Sequence, residues 1–229
     1  MREILLKIKR VKKSFHQKSE LIEVLKGINL DVYAGDRIVI TGASGVGKST
    51  LLHILGTLEK PTAGQVFYKG NDLFCLSAKS LAQFRNQKIG FIFQFHYLLL
   101  EFNALENVML PALIAGWTKK KAALKAEELL DEVGLKDKLH YQIGELSGGE
   151  QQRVTIARAL ILEPEIVLAD EPTGSLDEKT AEKVKELLFS LQKRKGMTLI
   201  VATHNLKLAS SFPLWYELSH GQLHLKKGE

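Results

Sequence analysis

The chain has 229 residues, of which 45% are hydrophobic and 25% charged; that suits one good-sized core or two small domains and excludes a multidomain machine. Its net charge of +6 fits an anionic partner, whether nucleotide, nucleic acid or an acidic membrane surface, and fits ordinary solubility equally well. The most apolar stretch, Leu98 to Trp117, is broken by Glu101, Asn103, Glu106 and Asn107, and only Ile4, Leu5 and Leu6 separate Glu3 from Lys7; no bilayer span and no signal sequence is expected, and the chain should stay in the cytosol.

In chain order, Ile4 to Ile8 and Ile28 to Val32 alternate apolar and polar residues, and Gln65 to Tyr68 follows a turn at Pro61-Thr62-Ala63-Gly64. These suit antiparallel strands with one wet face. Arg37 to Ile40, Ile89 to Phe93, Glu165 to Ala169 and Met197 to Ala202 are instead short, mostly continuous apolar runs, as in a sheet covered by helices on both faces. The predicted fold class is α/β, a mainly parallel core sheet with an antiparallel β part. From about Phe95 to Pro164 the pattern is helical. Asn103 and Glu106 fit a capping box, Thr118 fits the cap of a second helix running through Leu124, Leu129, Leu130 and Val133 to Gly134, and a third helix is predicted after Ser147. No Pro/Gly/Ser-rich tether flanks this segment, so it reads as a helical insert in one domain. Cys75 is the one cysteine, expected as a structural thiol, and the seven histidines do not cluster at metal-ligand spacings.

Gly42-Ala43-Ser44-Gly45-Val46-Gly47-Lys48-Ser49 stands between the run ending at Ile40 and a helical run from Thr50 to Leu58. A G-x-x-x-x-G-K-[ST] loop between strand and helix cradles phosphate: the backbone N–H groups turn inward, Lys48 reaches the outer phosphates, and the Ser49 hydroxyl can ligate Mg²⁺. Downstream, Ile166 to Ala169 leads into Asp170 and Glu171. This puts Asp170 at the carboxyl edge of the sheet, suited to Mg²⁺ or its water, and Glu171 one residue beyond, able to orient or deprotonate an attacking water. Leu146-Ser147-Gly148-Gly149-Glu150-Gln151-Gln152-Arg153 is a helix start, with Ser147 as N-cap and Glu150 as its reciprocal partner. Two glycines at a helix N-terminus also let a phosphate approach, which makes a second anion site.

Together these motifs resemble those of the ATP-binding cassette family, across essentially the whole chain. The resemblance implies a P-loop NTPase cassette over 1–229. Its RecA-like nucleotide-binding core, including the antiparallel part, would fall in 1–94 and 165–229, and its helical signature subdomain in 95–164. It implies an ATPase using ATP and Mg²⁺, with Gly42 to Ser49, and Thr50 after them, around the phosphates. By position, Gln94 resembles the glutamine that contacts Mg²⁺ or the attacking water and senses the membrane partner. Asp177 in Ser175-Leu176-Asp177 resembles the loop that crosses the dimer interface, His204 the histidine that bonds the γ-phosphate, and Phe15 the aromatic that stacks on adenine. From the residues alone, Gln94 could equally be a polar strand end, Asp177 a helix cap, His204 a loop histidine and Phe15 a core residue. The sequence departs from the family at Asn205, commonly Asp, and at Val46, commonly smaller.

In such cassettes one chain does not complete its site. The resemblance therefore implies a homodimer sandwiching two ATP–Mg²⁺, with Ser147, Gly148, Gly149 and Glu150 of one copy covering nucleotide held by the other. It also implies separate integral membrane permease subunits, and Phe95 to Phe102 is the candidate docking surface, with internal packing as the alternative. Arg85 to His96 followed by Ala104 to Val108 is similar to the lipoprotein-releasing branch, although Leu100 stands where that branch often has Pro. That branch works with LolC and LolE partners, which places the chain on the cytoplasmic face of a bacterial inner membrane. A regulatory cassette like FtsE and an exporter like MacB are the alternatives. Nucleic acid is not expected as a partner, since the lysine-rich segments Lys7 to Lys18, Lys119 to Lys125 and Lys193 to Lys195 are scattered and lack interleaved stacking aromatics.

Overall fold

The structure, a computed structural model, describes residues 3–17 and 20–228. Two long strands, β1 (Ile4–Gln17) and β2 (Glu20–Tyr33), form an antiparallel hairpin, and β4 (Ala63–Tyr68) and β5 (Asn71–Asp72) extend it into a four-stranded sheet ordered β2-β1-β4-β5. The turn predicted to end at Gly64 closes earlier. Ala63 pairs with Lys12, and Gly64 sits at φ +88° with the Arg10 carbonyl where a Cβ would stand, so only glycine lets β1 bulge against β4 there.

The second sheet has six strands ordered β10-β9-β3-β8-β7-β6. β3 (Arg37–Thr41), β6 (Ile89–Ile92), β7 (Ile166–Asp170), β8 (Thr198–Ala202) and β9 (Leu214–Ser219) run parallel, and β10 (Gln222–Lys227) closes the edge antiparallel to β9. Period-2 geometry divides the side chains of these strands between two cores. Ile38, Ile40, Ile166, Leu168, Ile200 and Ala202 pack with the antiparallel sheet and with α1 (Lys48–Leu55). Val39, Val167, Ala169, Leu199 and Val201 pack on the opposite face with α3 (Ala104–Ile114), α4 (Lys119–Glu132), α5 (Gly148–Leu160) and α6 (Glu178–Lys195). A sheet buried on both sides explains why its strands read as unbroken apolar runs.

The predicted helix starts are present: Asn103 and Glu106 cap each other, Thr118 accepts the Lys121 N–H, and Ser147 and Glu150 form a capping box. The second helix runs through Leu124 as expected; Leu124 itself points outward and is 60% exposed, because Ala122, Ala126, Leu129 and Leu130 supply the buried stripe. One expectation needs correction. Cys75, at the end of a short 3₁₀ turn, is exposed and packs no core. The helix α2 (Ala78–Lys88) buries no residue, and α7 (Leu206–Ala209) is a single turn.

Asn107 organises the approach to α3. It is fully buried, accepts the Leu99 N–H at 2.9 Å, and donates to the carbonyls of Leu99, Phe102 and Asn103. Removing the amide strands buried backbone groups, so Asn107→Ala should cost about 2–4 kcal/mol. Urea unfolding would detect this as a lowered midpoint, and an unchanged midpoint would contradict the role of Asn107 as the anchor of this loop.

Candidate nucleotide-binding site

The loop from Gly42 to Gly47 leaves β3 and enters α1 through Gly47, which has φ +109° and no side-chain cap. A Cβ at Gly47 would meet Val24 Cγ1 at 2.6 Å, and one at Gly42 would meet the Leu218 carbonyl oxygen at 2.4 Å. Glycine is thus required at both ends, and the uncapped first turn of α1 presents N–H groups and positive potential to an anion. Lys48 is buried, and its ammonium donates to the carbonyls of Gly42 at 2.9 Å and Ala43 at 3.0 Å, spanning the loop it belongs to. Val46 turns into the core beneath, which accommodates its larger side chain.

A cleft of about 580 Å³ opens over this loop. Ser44, Gly45, Gly47, Lys48, Ser49 and Thr50 line one side, and Gln94, Asp170, Glu171 and His204 line the other. Gln94 follows β6, Asp170 ends β7, and His204 stands two residues beyond β8. Parallel strands deliver all of these to one edge. Gly42, Ala43 and Val46 do not line it; the Gly42 and Ala43 carbonyls hold Lys48 from within the loop.

Glu171 is the most constrained residue of the cleft. Its backbone is left-handed at φ +46°, held by its N–H donating to the Ala202 carbonyl at 2.8 Å. Its carboxylate accepts from Thr203 Oγ1 at 2.7 Å on one oxygen. The other oxygen accepts from the His204 N–H at 2.8 Å and lies 2.6 Å from His204 Nδ1. Thr203 is buried and was not singled out from sequence; the only signal was its place between a buried strand and His204. Asp170 Oδ1 is buried without a hydrogen-bond partner, next to Ser49 and Gln94 in the same cleft. Hard oxygen donors with an orphaned carboxylate oxygen fit Mg²⁺, which needs only one or two protein carboxylates when phosphates and water complete its shell. No group of three His, Cys, Asp or Glu among the described residues is placed to hold a metal.

Other expected site residues lie outside this cleft. Phe15 is 39% exposed, faces Ile22 across the hairpin and carries the Lys13 ammonium 4.8 Å from its ring centroid, so it is not a core residue. Its hairpin adjoins the loop, since Val24 and Leu25 of β2 approach Gly47. Ser147, Gly148, Gly149 and Glu150 begin α5 beside α6, with Thr180 Cγ2 2.4 Å from where a Gly149 Cβ would stand. Asp177 is exposed and caps α6 by accepting the Thr180 N–H, and hydrogen bonds from Thr180 hold its carboxyl below the usual range. The buried Gln152 amide ties α5 to the Pro172 carbonyl at 2.8 Å, one residue after Glu171.

A second hollow, of about 460 Å³, lies between α2 and the inserted helices, lined by Phe93, Pro111, Ile114, Arg158 and Leu162 among others. In the segment that follows Phe93, Phe95 and Leu100 are 72% and 68% exposed. Arg158 anchors that segment, donating to the carbonyls of His96 and Tyr97 at 2.7 Å; burial lowers its guanidinium to about 10.

The model of the ABC transporter family matches residues 25–174. The chain belongs to the ABC transporter family. The match takes in the loop, Gln94, the Ser147 helix start, Asp170 and Glu171, and stops before His204. The chain is 56% identical over 206 residues to the lipoprotein-releasing system ATP-binding protein LolD of Geobacter metallireducens, covering 90% of this chain and 92% of that one. It is 47% identical to the LolD protein of Idiomarina loihiensis over the whole of both chains. Among solved structures, the dimeric post-hydrolysis state of the ATP-binding cassette MJ0796, bound to ADP and Pi, superposes with a TM-score of 0.90 at 38% identity, covering 98% of this chain and 99% of that one. No helix among the described residues is long and apolar enough to cross a membrane.

The family's helix start at Ser147 carries a titratable clamp. A hydrogen bond from the Lys138 ammonium, then one from the Ser147 N–H, lower the Glu150 carboxyl from 4.5 to about 2. A depressed carboxyl stabilises the fold above its unfolded value, and that contribution is lost as pH falls through the folded one. Stability should therefore drop between about pH 4.5 and about pH 2. Lys138→Met should move the drop to higher pH in acid titrations followed by circular dichroism; superimposable curves would refute the clamp.

Proposed function

We propose that this chain is the ATP-hydrolysing subunit of a lipoprotein-releasing transporter. Two copies would sandwich two ATP–Mg²⁺ and drive separate integral membrane permeases of the LolC and LolE type from the cytoplasmic face of the inner membrane. The observation that carries the chemistry is the convergence of Lys48, Asp170, Glu171 and His204 on one cleft. The branch assignment is supported by the likeness to LolD proteins along nearly the whole chain.

In this reading the α/β core in 1–94 and 165–229 holds nucleotide, and 95–164 is the signature subdomain. Lys48 exchanges the carbonyls of Gly42 and Ala43 for phosphate oxygens. Ser49, Gln94 and Asp170 would hold Mg²⁺, which would supply positive charge to the outer phosphates. Glu171 orients and deprotonates the water that attacks the γ-phosphate, and His204 bonds that phosphate. Phe15 packs on adenine from the hairpin beside Gly47. Ser147, Gly148, Gly149 and Glu150, with Asp177, act across the dimer, which accounts for their position outside the cleft of their own chain. The exposed segment from Phe95 to Phe102 and the adjoining hollow dock the permease.

Glu171→Gln should retain ATP binding, lose about 10²–10⁴-fold in turnover and accumulate as a dimer with ATP; hydrolysis at the wild-type rate would overturn the assigned base. Lys48→Ala should weaken ATP binding at least about tenfold in equilibrium titrations, through the loss of charged hydrogen bonds. For the partner, tagged protein purified from membranes of its own host should bring down permeases with a large periplasmic domain and bound lipoprotein. A lone membrane partner without lipoprotein would favour the regulatory FtsE-like role instead.

A further inference from the structure

The corner where α3 turns into α4 combines features that the nucleotide chemistry does not use. Lys119, Lys120 and Lys121 fill the first turn of α4, which holds no acidic residue. By contrast α3, α5 and α6 each carry a glutamate there, Glu106, Glu150 and Glu178. Cations at the positive end of a helix dipole oppose stability, so the cluster is not explained by folding. Lys119, Lys120 and Lys121 make no ion pair among the described residues, whereas Lys125, one turn further on, is neutralised by Glu128 and Glu163 at 3.0 Å each. The Lys121 ammonium lies 3.8 Å from the ring centroid of Trp117, which is half-buried with its inner side on the helical core, and Ile114 and Leu124 are 75% and 60% exposed on the same corner.

Apolar side chains, a tryptophan and unpaired lysines on one corner match the boundary of a bilayer. Tryptophan occupies the headgroup level and each lysine near an anionic surface adds about 1 kcal/mol of attraction. The location agrees: Leu162 lines both the lysine-flanked hollow at this corner and the groove assigned above to the permease, so the two open side by side. We propose that the α3–α4 corner rests on anionic lipid headgroups beside the permease, with Lys119, Lys120 and Lys121 facing the phosphates and Trp117 and Leu124 at the apolar boundary, while Ile114 marks the edge toward the permease groove. It rests on the transporter reading in one respect, that the groove faces a membrane.

The test uses the whole chain without any permease. Wild-type protein should float with vesicles of about 30% phosphatidylglycerol in phosphatidylcholine, should not float with phosphatidylcholine alone, and should be released between about 0.1 M and 0.5 M salt. The triple variant Lys119→Glu, Lys120→Glu, Lys121→Glu should lose at least about tenfold of that binding, with the ATPase rate of the isolated chain unchanged, and Trp117→Ala, which changes no charge, should also weaken it. Equal flotation of wild type and triple variant, or no preference for phosphatidylglycerol, overturns the proposal. So does a wild type that ignores vesicles while the triple variant alone loses co-purifying permease, since the lysines then meet an acidic protein surface. A chain that floats in the expected manner but recovers no permease from membranes would leave this proposal standing and remove the transporter reading.

Discussion

Everything at the cleft depends on four neighbouring strands pointing the same way. Because β3, β8, β7 and β6 are parallel and adjacent, their carboxyl ends form one edge. Residues from positions as far apart as Lys48, Gln94, Asp170 and His204 arrive there without any long loop. The direction of the strands is in turn maintained by burial on both faces, with alternate side chains committed to different cores. A one-residue slip of any central strand would exchange the two sets of side chains and displace a cleft residue at once. The register that makes the core therefore also makes the site.

Within that frame, the fixed element is the backbone around Glu171. Left-handed geometry at a glutamate is unfavourable and persists only where neighbours over-determine it. Here the Ala202 carbonyl takes its N–H, and Thr203 and the His204 N–H take its carboxylate. The result is a carboxylate whose two oxygens are both occupied by the strand next door. Any movement of His204 toward a phosphate changes what Glu171 holds, so the two side chains are geometrically coupled.

Most of this was legible in the sequence, for identifiable reasons. The glycine-rich loop, the acid pair after an apolar strand and the capping box at Ser147 are short-range patterns whose chemistry is local, and each sits in its expected element. Residues whose roles depend on contacts across the fold were invisible: Thr203 and Gln152 look like ordinary polar residues until β7, β8 and α5 come together. The helix α2 escaped because none of its residues is fully buried, only Leu81 and Phe84 packing partly against the core, and β9 and β10 because neither alternates, β9 being mostly half-buried and β10 mostly exposed.

The hydrogen bond from Gln152 to the Pro172 carbonyl joins two parts of one chain that would serve different nucleotides. In the proposed dimer α5 would present its first turn to the neighbouring copy, while the strand end before Pro172 would work on its own chain's cleft. The amide is buried and Gly149 leaves no room for a side chain beside Thr180, so α5 is closely packed on both sides of this joint. A sandwich of two such chains would be a closed mechanical loop of four rigid links, in which a spent nucleotide on one side alters the cover on the other. Timing between the two halves would then follow from a single side chain inside each protomer rather than from the interface alone.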